Sequence, residues 1–261
     1  MTGVVMLLAM LTTSVAARAD MATRFTRYSV EHGLSQAAVE TILQDRQGFI
    51  WLGTDEGLNR FDGYRFVNYL HDPNDATSLA HNWIWALHED GSGAIWVGTD
   101  GGGLDRMDPL TGKFERRNLD ADQTTHVPIR ALVEDDARAL WIGTDGNGLY
   151  RLDLTSGATQ HFRSDPDDAS TLSNDHIKAL YVAADGYLWI GTDGGGVNRL
   201  NLRSGTIERY ILDSQHPEFW AAARIISIVA TPDGVMWVGS YENGLLRLDT
   251  RTHEVRHYQN R

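Results

Sequence analysis

Apolar positions recur along this chain with a long, regular period. Trp51, Trp96, Trp141, Trp189 and Trp237 each open the same phrase, an aromatic residue, an aliphatic residue, Gly, and Thr or Ser. They stand 45, 45, 48 and 48 residues apart. Nine residues before each Trp is Ile42, Leu87, Leu132, Leu180 or Ile228. After each Trp phrase comes a turn rich in Asp and Gly, residue types that accept the positive φ angles of tight hairpins. A further apolar segment follows and carries Arg60, Arg106, Arg151, Arg199 or Arg247. A second turn, such as Thr111-Gly112 or Ser156-Gly157, leads to Phe66, Phe114, Ile207 or Val255, with an aromatic residue three positions later in most copies. Each period therefore divides into four short strands, A to D, joined by tight turns. Four antiparallel strands every 45–48 residues predict an all-β chain of propeller blades. The five blades fall at about 36–69, 81–117, 127–162, 174–210 and 222–258.

The segment Arg24-Phe25-Thr26-Arg27-Tyr28 has the pattern of a sixth strand D, like Ile207-Glu-Arg-Tyr210 and Val255-Arg-His-Tyr258. Because the fifth blade already has its own strand D, residues 24–28 are expected to be an extra outer strand. Its A–C strands would then lie outside this chain, making the array part of a larger propeller. A self-contained five-bladed ring with a spare strand is the other reading.

The phrases Ile95-Trp-Val-Gly-Thr-Asp-Gly-Gly-Gly-Leu104, Leu140-Trp-Ile-Gly-Thr-Asp-Gly-Asn-Gly-Leu149 and Gly57-Leu-Asn-Arg-Phe-Asp-Gly63 resemble the two-component regulator propeller repeat, as does the opening Tyr28-Ser-Val-Glu-His-Gly-Leu-Ser35. The resemblance runs over nearly all of residues 24–258. It implies a β-propeller from the periplasmic sensor region of a hybrid histidine kinase or a diguanylate cyclase, with other propeller or signalling domains as partners. The chain differs from that family in having fewer repeats and no kinase or cyclase domain.

Composition narrows the remaining possibilities. A net charge of −12 with no run of Lys or Arg argues against nucleic acid and anionic membrane surfaces as partners. The absence of Cys excludes disulfides and thiolate chemistry. The apolar run Val4–Val15 is too short to span a bilayer and precedes Ala17-Arg18-Ala19, so residues 1–19 are expected to be a secretory signal peptide and 20–261 the exported propeller. No other segment reads as a membrane span.

No cofactor or metal is expected. Thr-Asp-Gly-Gly-Gly lacks the helix and the Lys-Ser/Thr of a phosphate loop, and is read as turn chemistry. The five repeated Trp residues are read as packing between blades. The repeated Arg residues are expected to pair with Asp62, Asp108, Asp153 or Asp249.

Trp83, Trp85 and Trp220 fall outside the repeated Trp position, in the segments that run from strand D of one blade to strand A of the next. Glu40, Arg130, Lys178 and Ile226 share the slot of Trp85; Ala38, Pro128, His176 and Arg224 share that of Trp83. Variation in a slot flanked by repeated apolar residues marks a candidate binding surface. Trp83, Trp85, Arg130, His176, Lys178, Trp220 and Arg224 are therefore the candidate ligand-binding residues, suited to a small polar molecule or an oligosaccharide. The plainer reading is that these Trp residues plug the loops. A sensor propeller is favoured over an interaction scaffold, and both over a lyase or quinone-dependent oxidoreductase.

Overall fold

A computed structural model describes residues 25–119, 127–214 and 216–259, as five four-stranded antiparallel sheets. The first comprises β1 (Val39–Gln44), β2 (Ile50–Thr54), β3 (Gly57–Phe61) and β4 (Phe66–Tyr69). The second comprises β5 (Ile84–Glu89), β6 (Ile95–Thr99), β7 (Leu104–Asp108) and β8 (Lys113–Arg117). The third has β9 (Ile129–Glu134), β10 (Ala139–Thr144), β11 (Leu149–Asp153) and β12 (Thr159–Phe162). The fourth has β13 (Ile177–Val182), β14 (Tyr187–Thr192), β15 (Val197–Asn201) and β16 (Ile207–Tyr210). A one-turn helix, α1 (Pro217–Ala221), leads into the fifth: β17 (Ile225–Ala230), β18 (Val235–Ser240), β19 (Leu245–Asp249) and β20 (Val255–Tyr258).

The first strands pack in series, β1 on β5, β5 on β9, β9 on β13 and β13 on β17, which makes them the inner edge of an arc of blades. Among the described residues the arc does not close into a ring. Residues 1–19, expected to be a leader, lie outside the described residues.

The repeated phrase follows from blade packing. Trp51, Trp96, Trp141 and Trp189 are at most 2% exposed, and each sits in a core shared with the following blade. The Gly two residues later is required by close approach: a methyl group on Gly98, Gly143 or Gly191 would lie 2.6 Å from Cγ2 of Ile129, Ile177 or Ile225 in the next blade. The Thr after it donates its hydroxyl across the B–C turn, as Thr99 does to the Gly103 carbonyl at 2.9 Å. Trp237 departs from the expected burial. It is only half-buried, because no described blade follows it.

Two further expectations change. The repeated Arg does not pair with the Asp two positions on. Arg60, Arg151 and Arg199 lie over the Trp ring of their own blade at 5.6–5.9 Å. The Asp instead holds the C–D turn, as Asp108 does by accepting the Leu110 N–H at 2.9 Å. Residues 25–28 form no strand; Tyr28 packs its ring on Phe61 and Phe66 of the first blade. The outer edge it was expected to extend has no partner strands here.

Candidate functional site

Antiparallel order places the D–A connections and the B–C turns at one end of every blade, and the A–B and C–D turns at the other. Six of the seven candidate residues meet at the first end, at the start of the inner strands. Trp83 stacks on Trp85 with ring centroids 5.2 Å apart and planes 26° from parallel. The guanidinium of Arg130, one blade on, lies 3.7 Å from the centre of the Trp85 ring. Arg130 also reaches Asp145 at 2.9 Å. Asp145 then receives His176 Nδ1 and Lys178 Nζ, each at 2.7 Å, from the fourth blade. Lys178 continues to Asp193 at 3.6 Å, and Asp193 takes Arg224 of the fifth blade at 2.6 Å. Arg224 lies over the ring of Tyr241 and reaches Glu242 at 3.4 Å.

The result is one unbroken row of stacked and charged side chains across blades two to five. Its accessible members include Trp83, His176 and Arg224, whereas Trp85, Arg130 and Lys178 are half-buried. Three permanent cations face three carboxylates, so the row is close to self-neutral. Burial pushes the Asp145 carboxyl up, but the hydrogen bonds from Lys178 and His176 and the charges of Lys178 and Arg130 outweigh it, and the group is lowered to about 2. Such a surface offers an aromatic face for stacking beside fixed donors and acceptors, which suits a neutral polar molecule better than a polyanion.

Trp220 is not part of this surface. It lies in α1, 2% exposed, in the core between the fourth and fifth blades, against His257. Its large apolar ring fills space that the connection would otherwise leave open, which is the loop-plugging role. Conversely, Asp145 and Asp193 anchor the row although they belong to the repeated Thr-Asp-Gly turn. Their partners lie in the slots that vary, and that alternation was the available signal.

The blades, their inter-blade Trp cores and the open arc define the protein as a β-propeller array. Residues 33–56, 78–101 and 171–194 match the two component regulator propeller model, so these three segments are similar to repeats of that type. A 56-residue stretch is 45% identical to Histidine kinase P4 of Formosa agariphila, covering 22% of this chain and 4% of that protein. The fold is similar to the extracellular domain of a B. thetaiotaomicron protein described as a hybrid two component system (TM-score 0.65, 24% identity, 90% of this chain and 37% of that one). A virginiamycin B lyase from Staphylococcus aureus shares the fold at 19% identity (TM-score 0.67, 92% of this chain and 75% of that one). The chain thus spans a small part of the signalling proteins it resembles. No helix among the described residues is long and apolar enough to cross a membrane.

Proposed function

We propose that this chain is part of the extracytoplasmic sensor region of a two-component or cyclic-di-GMP signalling protein, and that it binds a ligand without transforming it. The observation that carries the reading is the row from Trp83 to Arg224. Four blades contribute to it, so a ligand lying along it would touch four packed units at once and bias how they sit together. The ligand is a small polar molecule or an oligosaccharide, with a ring stacked on Trp83 and hydroxyls bonded to His176 and Arg224. Residues 1–19 are the export leader in this reading. Signalling domains are the partners.

A screen of neutral mono- and oligosaccharides by thermal shift, followed by calorimetry of the hits, tests it. Ligands are expected whose affinity falls at least ~tenfold in Trp83→Ala and His176→Ala. Hits that ignore both substitutions would remove this surface from consideration. No hit, together with capture of a signalling domain, would favour the scaffold reading.

A second reading has one specific observation behind it. His176 and Asp145 form a hydrogen-bonded acid–base pair on a fold shared with a lyase. Chemical change of a bound ligand that disappears in His176→Ala would establish an enzyme.

A further inference from the structure

A second feature, independent of the row above, runs from the outer strand of the second blade to the A–B and C–D turns of the second and third blades. A cleft of about 500 Å³ opens between the second and third blades, and Arg106, Arg116, Arg117 and Arg138 all line it, over a floor that includes Leu152 and Leu154. The repeat supplies its own control, because each blade shows what the fold requires at a given position. Three of these arginines depart from that requirement.

Arg117 stands opposite Leu104, in the place held by Tyr69, Phe162, Tyr210 and Tyr258 in the other blades. Those four rings pack on the Trp of their own blades, at centroid distances of 4.7–5.9 Å. Blade two gives up that aromatic contact for a guanidinium. Arg138 occupies the A–B turn position of Gly48, Gly93, Gly186 and Gly234, all at positive φ, and is itself held at φ 61°. A left-handed non-glycine residue is strained, and strain kept in a cleft points to a use for the side chain. Arg106, whose counterparts Arg60, Arg151 and Arg199 lie over their Trp rings, here bonds the Ser92 hydroxyl at 3.2 Å.

The carboxylates of the cleft are already engaged. Asp90 accepts the Trp96 indole N–H and the Ser92 and Ala94 amides, and Asp153 accepts the Thr155 and Ser156 amides. Arg117 pairs with Glu115 at 3.1 Å, but both side chains are about half exposed, and such a pair is readily exchanged. Arg138 pairs with Glu134 at 3.6 Å. Four arginines and two carboxylates line the cleft, Arg106 lies 3.9 Å from Asp90, and the site presents forked donors from two blades in a protein of net charge −12.

We infer that this cleft binds a compact polyanion, a small molecule carrying two or more carboxylate or phosphate groups. Arg117 and Arg138 grip it from the two blades, and binding therefore clamps blade two to blade three.

Calorimetry with citrate and with pyrophosphate, against acetate and chloride at matched ionic strength, tests the assignment. Citrate separates a carboxylate ligand from a phosphate ligand represented by pyrophosphate. One of the two is expected to show saturable one-to-one binding that the monoanions do not reproduce. Arg117→Tyr and Arg138→Gly restore the residues of the other blades. Each is expected to weaken binding at least ~tenfold while raising the thermal midpoint of the unliganded protein, which also shows that the variants fold. Equal response to mono- and polyanions, or binding unchanged in both variants, would overturn the inference.

Discussion

The indole N–H of Trp141 donates to Oδ2 of Asp135 at 2.8 Å, and the other oxygen of that carboxylate accepts the Ala137 and Ala139 amides, so one side chain fixes both the A–B turn and the inter-blade ring. Asp45 with Trp51 and Asp90 with Trp96 repeat the bond at the same length. The fourth blade has Ala183 in that place, and the Trp189 indole nitrogen is buried with no partner among the described residues. A cleft of about 310 Å³ lined by Ala183 and Trp189 leaves room for a carboxylate. Ala183→Asp is expected to stabilise the protein by about 1–2 kcal/mol, the worth of satisfying a buried donor with a charged acceptor. Urea unfolding checks it; a lower midpoint would mean that Trp189 has no unmet bond to gain.

Asp105 is an amide site occupied by an acid. In the first and fourth blades Asn59 and Asn198 hold this position, each accepting a Ser amide at 2.9 Å and donating to that Ser hydroxyl at 2.8 Å. Asp105 accepts the Ala80 amide, but its other oxygen is buried without a bond to any described residue. Burial pushes its carboxyl up to about 6, against the pull of the Ala80 amide and the charges of Arg116 and His71. A raised folded-state value favours the protonated form. Its stabilising contribution is complete below about pH 4 and lost as pH rises through about 6. Asp105→Asn is expected to stabilise the protein by about 2–3 kcal/mol at pH 7, and the advantage should vanish near pH 4. A pH-independent difference between the two proteins would refute the account.

The fold was legible because its contacts repeat. Gly143 is glycine and Ile177 is isoleucine for one reason, the approach of neighbouring blades, and the same reason acts at Gly98 and Gly191. A contact made several times in one sequence appears as a pattern. The candidate row was half legible. Arg130, His176 and Lys178 stood out because their slots vary, but Asp145, which holds all three, was hidden inside a turn phrase that repeats. Trp220 was misplaced because an unrepeated Trp in a connection reads alike whether it faces solvent or fills a core; only the packing against His257 and the fifth blade distinguishes them. Arg117 stands 21 residues after Trp96, as Phe162 stands 21 after Trp141, so the lost aromatic is visible in the spacing; that Arg117 shares a cleft with Arg138 is visible only in the packing of the second and third blades.

Asp145 is expected to be a stabilising residue as well as a member of the candidate site. Its lowered value, about 2 against 3.8, means that its carboxylate supports the fold above about pH 4 and that the support is lost as pH falls through about 2. Solvent screening at this partly exposed site reduces the shift to about 1 kcal/mol at neutral pH. Asp145→Asn should therefore unfold at lower denaturant concentration by that amount at pH 7 and approach the parent protein near pH 2. It should also free Arg130 and Lys178, so salt sensitivity should rise. A variant as stable as the parent at pH 7 would show that the three cations do not depend on Asp145.

The two ends of the arc carry the two halves of one interface. Inside the array, Leu87, Leu132 and Leu180 are half-buried against the Trp of the preceding blade and Ile228 is 8% exposed. Ile42, the same position in the first blade, is 66% exposed, and Trp237 in the last blade lacks the cover that the other four Trp residues have. Exposed apolar surface costs about 25 cal/mol per Å², and an interface whose halves sit on opposite ends of one molecule joins copies head to tail. The isolated polypeptide is therefore expected to associate with a second copy through the Ile42 face of one and the Trp237 face of the other. Analytical ultracentrifugation across a concentration series should show this, and Ile42→Lys should shift the equilibrium to monomer without changing the circular dichroism spectrum. A strictly monomeric parent protein would mean that Ile42 and Trp237 do not form a complementary pair, and would leave the arc stable as an open structure.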